Sequence, residues 1–196
     1  HHPQRKELVR YLKGEGSLSL HTMPPNAQVR LSRLITRNRR LVPDRAEPLG
    51  TTPVAEVSLK KGTYLVHLTA DGFHDVVYPI YMDRVSNLDG RNPEGIMEPI
   101  ELLPLDTLGP DDCYVPAGWC RLGGDPNTSN SLPWLRVWID GFVMRRFSVT
   151  NAEYLVFLNA LVASGRLEAA LEHVPREQSS SVDELGQMAY SQTEDG

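Results

Sequence analysis

The sequence has little of what builds a disulfide scaffold or a membrane span. It contains two cysteines in 196 residues, and aromatic residues make up 7% of the chain. No apolar run approaches the ~20 residues that a membrane-spanning helix needs. The first residues do not show the pattern of a signal peptide. No C-x-x-C pair or Cys/His zinc spacing is present. These absences exclude a disulfide-rich domain, a zinc finger and a helical membrane span.

The two cysteines, Cys113 and Cys120, lie in one extended segment. At ~3.3 Å per residue their Cα atoms are too far apart for a disulfide, unless the turn at Pro116 folds them together. We therefore expect two buried free thiols in a reducing compartment, which predicts a cytoplasmic location.

Sequence signatures of common enzyme classes are also missing. There is no nucleophilic triad motif, P-loop, dinucleotide-binding fingerprint or kinase signature. The histidines are scattered, with no His-x-x-x-His pair that could bind a metal from one helix face. We therefore predict no catalytic, cofactor-binding or metal-binding residue in this chain.

Charge is distributed unevenly along the chain. The net charge is −5, yet the first 45 residues carry ten Lys or Arg and only three Asp or Glu. Arg37, Arg39 and Arg40 form the densest part of this basic region and are candidates for an interaction surface. No aromatic residue lies among them to stack on bases, so a nucleic-acid partner is not favoured. The alternative is an ordinary solvated run of charge.

Turn residues are plentiful, with 15 glycines and 15 prolines, and apolar residues make up 40% of the chain. From Gly16 onward, apolar and polar residues alternate, as at Leu18 and Leu20 and again at Val29 and Leu31. Five or six such segments, separated by turns about every 8–12 residues, predict a small antiparallel β-sandwich over residues 16–83.

The regions that flank this sandwich have different compositions. Residues 1–15 predict a linker helix, which is too short to be stable alone in water. Residues 84–110 are rich in proline and glycine and predict a linker with few contacts. The apolar residues inside that linker indicate that it lies against a surface, as one more edge strand.

Four turn motifs in the sandwich region resemble landmarks of the PEGA family of domains. They are Pro24-Pro25-Asn26-Ala27, Gly50-Thr51-Thr52-Pro53, Gly62-Thr63-Tyr64 and Gly72-Phe73. The first motif departs from the family pattern at Pro25 and Asn26, where an acid and a glycine are usual. The resemblance implies a non-catalytic module, often attached to bacterial surface proteins or serine/threonine kinases.

Residues 111–196 predict a second module, with a strand pair over residues 135–147 followed by a helix. The helix begins with a capping box at Thr150, Asn151 and Glu153, in which the Thr hydroxyl and the Glu carboxylate each bind the other residue's backbone N–H. Gly165 ends this helix, and Pro175 ends a second, shorter helix. Residues 176–196 are polar, serine-rich and acidic, and we expect them to be mobile unless a partner holds them.

This second module resembles the opening of the formylglycine-generating-enzyme (sulfatase-modifying factor) domain, a variant of the C-type-lectin fold. The motif runs from Phe142 through Met144, Val149-Thr150-Asn151 and Tyr154 to Phe157, and Pro116-Ala117-Gly118-Trp119 is similar to the family's entry strand. The family's catalytic cysteines lie later in the domain, and Cys113 and Cys120 do not match them. The resemblance therefore implies no cofactor in this chain, and calcium or copper only in a completed domain.

Three tryptophans, Trp119, Trp134 and Trp138, surround the loop of residues 121–133. They fit the packed core at the start of a lectin-like fold. The alternative, which the sequence favours less, is the lining of a ligand groove. The sequence leaves both uses open.

These patterns together predict a mainly β fold with some α-helix: a PEGA-like sandwich followed by a partial C-type-lectin-like domain. The two resemblances imply a non-catalytic sensing or interaction region of a larger bacterial signalling protein, C-terminal to a serine/threonine kinase domain. The alternatives are a fragment of an active formylglycine-generating oxidase and a lectin-like ligand-binding scaffold. The expected partners are the remainder of its own domain or a second chain, and a protein or small ligand.

Overall fold

The computed structural model describes residues 3–177 and 186–191 of the chain. It is mainly β, with 44% strand and 15% helix, so the predicted fold class is confirmed. The chain divides into two compact units, residues 1–146 and 147–196. The domain limits predicted from the sequence stay a prediction.

The first unit begins with helix α1 (Pro3–Lys13), which matches the predicted linker helix. Ten strands follow: β1 (Glu15–Leu20), β2 (Thr22–Met23), β3 (Gln28–Arg37), β4 (Arg40–Pro43), β5 (Glu47–Thr51), β6 (Val54–Lys60), β7 (Gly62–Thr69), β8 (Val76–Met82), β9 (Asn87–Leu88) and β10 (Ile100–Glu101). Four more strands complete the unit: β11 (Asp112–Val115), β12 (Gly118–Leu122), β13 (Leu135–Ile139) and β14 (Phe142–Arg145).

Two sheets enclose the core of this unit. One has the strand order β6-β1-β9, and the other has the order β4-β3-β7-β8, with β5 also paired to β3. Alternate side chains of both sheets point inward because neighbouring residues of a strand face opposite sides. The buried apolar cluster draws on both sheets and includes Leu18, Val29, Val66, Leu68 and Met82. Burial of each such side chain stabilises the fold by about 1.5–3 kcal/mol.

Two of the turn motifs meet at one end of this core. Asn26 has a φ of 68°, as its place in the turn predicts. The backbone N–H of Ala27 donates to Oγ1 of Thr52 over 3.0 Å, and the N–H of Asn26 donates to the Thr52 carbonyl. Ala27 and Thr52 are both buried, so these bonds satisfy polar groups that water cannot reach.

The basic region forms a β-hairpin. β3 and β4 form a hairpin with a two-residue turn, and Arg37 pairs directly with Arg40. Asn38 and Arg39 both have positive φ, which is the backbone that the twist of a two-residue hairpin requires. β5 then pairs with the other end of β3.

Residues 84–110 are more than a linker, so the expectation of few contacts is wrong. β9 pairs with β1 and β10 pairs with β2, each in parallel. Ile100 and Leu102 are buried in the core of the sandwich. The backbone N–H of Leu102 donates to the Met23 carbonyl over 2.8 Å. The apolar residues of this segment draw it onto the sheets despite its proline and glycine content, and the expected edge strand is present as β10.

The sequence predicted that the two strands within residues 135–147 pair with each other, and this is wrong. β13 pairs with β12, and β14 pairs with β11, so the four strands form one long antiparallel ribbon. Residues Pro116-Ala117 and Asp140-Gly141 interrupt the ladder between the two halves, because Pro116 has no N–H to donate. Cys113 and Cys120 are both free and only partly buried, which corrects the expectation of buried thiols.

The second unit contains helix α2 (Asn151–Ala163) and helix α3 (Leu167–His173). Thr150 is the N-cap of α2, and the capping box with Glu153 is present, while Asn151 is the first helical residue. Gly165 follows the helix with a φ of 75°. The Tyr154 hydroxyl donates to the His173 carbonyl over 2.7 Å and ties the two helices together.

Most of the predicted mobile segment, residues 178–185 and 192–196, lies outside the described residues. Within the described part, no helix is long and apolar enough to cross a membrane.

Candidate functional site

The three tryptophans lie along one groove of the first unit, about 590 Å³ in volume. One wall is the β12–β13 hairpin, and the other consists of residues from β1, β8 and the segment around β9. The Trp119 indole N–H donates to the Arg91 carbonyl over 2.8 Å and holds the hairpin beside that segment. The structure therefore favours the groove over a closed core as the environment of the tryptophans.

The pairing of β12 with β13 explains why these side chains share one face. Trp119 lies directly opposite Trp138, and Arg121 lies opposite Arg136. Residues directly opposite each other in an antiparallel pair point to the same side, and each strand returns to that side every second residue. Trp134 is two residues before Arg136 and continues the series. The hairpin thus presents tryptophan and arginine together.

Aromatic rings and guanidinium groups alternate in this series. The guanidinium carbon of Arg136 lies 4.1 Å from the ring centre of Trp119. That of Arg121 lies 4.4 Å from the ring of Tyr81 and 5.4 Å from that of Trp134. The rings of Trp119 and Trp138 meet edge to face at 5.6 Å. Each stacked cation contributes about 0.5–1 kcal/mol where it is exposed to solvent.

The direct opposition of Arg121 and Arg136 is unfavourable by itself, because like charges across a strand pair repel. Stacking uses the flat face of a guanidinium and leaves the N–H groups at its edge available. Within the described part of the chain, neither guanidinium makes a hydrogen bond or a close ion pair. The two arginines therefore form a positive centre between aromatic rings.

The acidic side chains of the groove are already engaged. Asp83 is 3.0 Å from the Lys61 ammonium, and Asp89 is 3.3 Å from Nε of Arg91. The hydrogen bond from Lys61, followed by one from the backbone N–H of Arg84, holds the pKa of Asp83 below its usual value. Arg121 lowers that pKa further by its charge, so it interacts with Asp83 at longer range.

The inner side of the groove carries a histidine and a tyrosine. Nδ1 of His21 is buried and has no hydrogen-bond partner among the described residues. Tyr78 lies beside the start of β12, where its hydroxyl donates to the Ala117 carbonyl at 3.5 Å. Burial raises the pKa of Tyr78 above its usual value of 10.0. A Cβ on Gly118 would collide with the Tyr78 hydroxyl, so glycine permits this close approach.

The candidate residues named from the sequence fall in three places. Trp119, Trp134 and Trp138 come together in the groove. Arg37, Arg39 and Arg40 lie at the exposed β3–β4 hairpin and do not line it. Thr150, Asn151 and Glu153 form the start of α2 in the second unit.

The sequence interpretation missed the two groove arginines. The sequence does carry a signal for them, because tryptophan and arginine recur at every second residue in Trp119-Cys120-Arg121 and in Trp134-Leu135-Arg136-Val137-Trp138. A strand with this pattern carries ring, cation and ring on one face. His21, Tyr78 and Tyr81 could not have been found in this way, because they come from strands far away in the sequence.

The second unit has a cleft of its own, about 700 Å³ in volume, lined mainly by apolar side chains of α2 and α3. Leu158 and Leu161 of α2 are buried, whereas Val156 and Phe157 are exposed. The apolar side chains of this helix are therefore covered only in part.

No group of three or more His, Cys, Asp or Glu side chains that could hold a metal ion occurs in the part of the chain that the structure describes. Comparisons of the chain with models of protein families, with curated proteins and with solved structures found no match.

Proposed function

We propose that this chain is a non-catalytic interaction region whose first unit binds a ligand in the groove beside the β12–β13 hairpin. The observation that supports this most directly is the series of three tryptophans and two arginines on one face of that hairpin. Tryptophan, tyrosine and arginine are the residue types that dominate binding energy at protein interfaces. A groove of about 590 Å³ is within the usual size range of small-ligand sites.

The setting of this binding unit is proposed from the two sequence resemblances. PEGA-like landmarks next to the opening of a formylglycine-generating-enzyme domain suggest the C-terminal sensing region of a bacterial serine/threonine kinase. In that setting, binding of a ligand or partner to the groove regulates the cytoplasmic signalling protein that contains this chain. This part of the proposal depends on sequence motifs, whereas the ligand site depends on the groove.

Intrinsic fluorescence tests the proposal, because all three tryptophans of the chain line the groove. We would titrate the 196-residue protein with neutral sugars, cationic, neutral and acidic peptides, and small aromatic acids and amines. Emission and thermal unfolding would be followed together. Saturable binding of one class, weakened by Trp138→Ala but not by a change at the β3–β4 hairpin, is the expected result. No response to any class would refute a ligand site, and selective binding of sugars would favour the lectin-like scaffold.

A second candidate is a fragment of a formylglycine-generating-type oxidase completed by other residues. The observation that favours it is uncovered apolar surface. Leu122, Leu135 and Ile139 lie on the face of the hairpin opposite the tryptophans, and Phe142 and Met144 of β14 are also exposed. Further strands of the same domain or a second chain would bury these side chains.

Two measurements separate this candidate from the first. Native mass spectrometry and light scattering of the pure chain should show self-association or a bound fragment if this surface needs a partner. An assay of thiol-peptide oxidation with copper added tests the chemistry. A well-behaved monomer would contradict the partner requirement, and turnover by the isolated chain would contradict a non-catalytic role.

A further inference from the structure

We propose that the groove beside the β12–β13 hairpin selects carboxylate ligands that carry an aromatic ring, with Arg121 and Arg136 binding the carboxylate. This inference rests on the proposed function, because it names the chemistry of the ligand for the same groove. It is suggested by the direct opposition of two arginines that already stack on aromatic rings.

The geometry of the two guanidinium groups accounts for the preference for a carboxylate. A guanidinium presents parallel N–H donors in its own plane, and these match the two oxygens of a carboxylate. Trp119 supports Arg136 from one face, and Tyr81 and Trp134 support Arg121. The rings hold the side chains in place, so less side-chain entropy is lost when the ligand binds. A bound anion would also relieve the repulsion between the two cations.

The rest of the groove suits an apolar, planar group. Trp138 lies beside Trp119 with its ring nearly perpendicular, at an interplanar angle of 83°. Trp134 lines the groove and is 55% exposed, so part of its side chain is accessible to an incoming ligand. Aromatic rings prefer such offset or edge-to-face contacts, which add about 0.5–1.5 kcal/mol to the burial of their area.

The acidic residues of the groove disfavour a polyanion. Asp83, Asp89 and Glu98 all line it, although Lys61, Arg91 and Asn92 respectively contact their carboxylates. A nucleic acid would bring a repeated row of phosphates past these carboxylates, and the row would be repelled. A single carboxylate at the arginine pair meets less repulsion, because Lys61 offsets the charge of Asp83, the acidic residue that Arg121 interacts with. The groove is therefore built for one compact anion with an apolar body.

Matched pairs of probes can separate charge from shape. Phenylacetate and phenylacetamide have the same outline, and only the first carries a carboxylate. The peptides acetyl-Asp-Phe-amide and acetyl-Asn-Phe-amide form a second pair, again with one carboxylate in the first member only. Acetate tests the anion without a ring, and a short oligothymidylate tests a polyanion. Phenylalanine does not absorb at the red edge of the tryptophan band, so excitation there reports the groove alone.

Three variants assign the effect to the arginines. Arg121→Gln and Arg136→Gln each remove one guanidinium and keep a polar side chain of similar reach. Arg37→Gln is the matched control, because Arg37 also lies opposite an arginine in a hairpin but does not line the groove. Loss of one charged hydrogen-bonding partner should weaken binding about tenfold or more. Circular dichroism would verify that each variant is folded.

We expect the two acids to bind at least about tenfold more tightly than their amides, with the difference lost in both groove variants and kept in Arg37→Gln. Tighter binding of the acidic peptide than of phenylacetate would indicate a peptide segment as the source of the carboxylate, and the reverse would indicate a free small acid. Equal binding of acid and amide would overturn the inference while leaving a ligand groove. So would tighter binding of oligothymidylate. No binding of any probe, including the sugars and amines above, would overturn the proposed function as well.

Discussion

Leu102 offers a direct test of how residues 84–110 belong to the first unit. Its side chain is 2% exposed and lies in the core cluster, although its segment is rich in proline and glycine. Replacement by alanine removes buried methyl groups and leaves a cavity that the surrounding strands fill only in part. Such changes cost about 2–5 kcal/mol, and we expect about 3 kcal/mol for Leu102→Ala.

The chain provides a matched control three residues further on. Leu105 has the same side chain, belongs to the same segment and is 59% exposed. Its replacement removes little buried surface, so Leu105→Ala should change the free energy of unfolding by less than about 0.5 kcal/mol. A comparison of the two variants cancels the general effect of a leucine-to-alanine change on the unfolded chain.

Urea unfolding followed by tryptophan emission is the assay, because every tryptophan lies in the first unit. The midpoint should fall for Leu102→Ala with an unchanged slope, and the melting temperature should drop by about 10 °C. Equal midpoints for the two variants would show that this segment adds nothing to the core. In that case the expectation of a linker with few contacts would be right after all.

Three further results are expected. Thr150→Ala should lower the stability of the second unit by about 1 kcal/mol, measured by circular dichroism of its helices during unfolding, whereas Thr150→Ser should retain most of the cap. An unchanged unfolding midpoint in the alanine variant would contradict the capping box. Gly16→Ala should lower the stability of the first unit by several kcal/mol, because its Cβ would lie 2.7 and 2.8 Å from two backbone carbonyl oxygens. Gly72 has open space around it but a φ of 82°, so Gly72→Ala should cost only about 1 kcal/mol. Similar losses in the two variants would argue against the tight contact at Gly16. Tyr78 contributes stability that is complete below the unfolded pKa of 10.0 and is lost as pH rises through its higher folded pKa. In a pH series of urea unfolding, Tyr78→Phe should therefore show a smaller fall of the midpoint at alkaline pH than the unchanged protein. Identical pH profiles would disprove the burial of Tyr78.

Local sequence was sufficient wherever one short segment carries the whole signal. The alternation at Leu18 and Leu20 predicted β1, and the spacing of Thr150 and Glu153 predicted the start of α2. Asn26 indicated its own left-handed turn. In each case the physical cause lies within a few residues: side-chain alternation along a strand, a hydroxyl three residues from an unpaired N–H, or a side chain that tolerates positive φ.

Tertiary structure alone decided which segments meet. The composition of residues 84–110 indicated a linker, yet Leu102 is buried because β10 pairs with β2, which is far away in the sequence. The predicted strands within residues 135–147 are present, but the predicted pairing between them is wrong, because the partners of β13 and β14 come earlier in the chain. Strand pairing depends on the closing of loops and on shared burial, neither of which a local pattern contains.

The groove combines both kinds of information. The sequence by itself determined that Trp119, Arg121, Trp134 and Arg136 recur at every second residue, and therefore that each strand carries ring and cation on one face. Only the register of the β12–β13 hairpin set the two arginines opposite each other. Only the packing of that hairpin near β8 added the ring of Tyr81 and the inner residues. Alternation along a strand is a local property of the chain, whereas opposition across strands is a property of the fold.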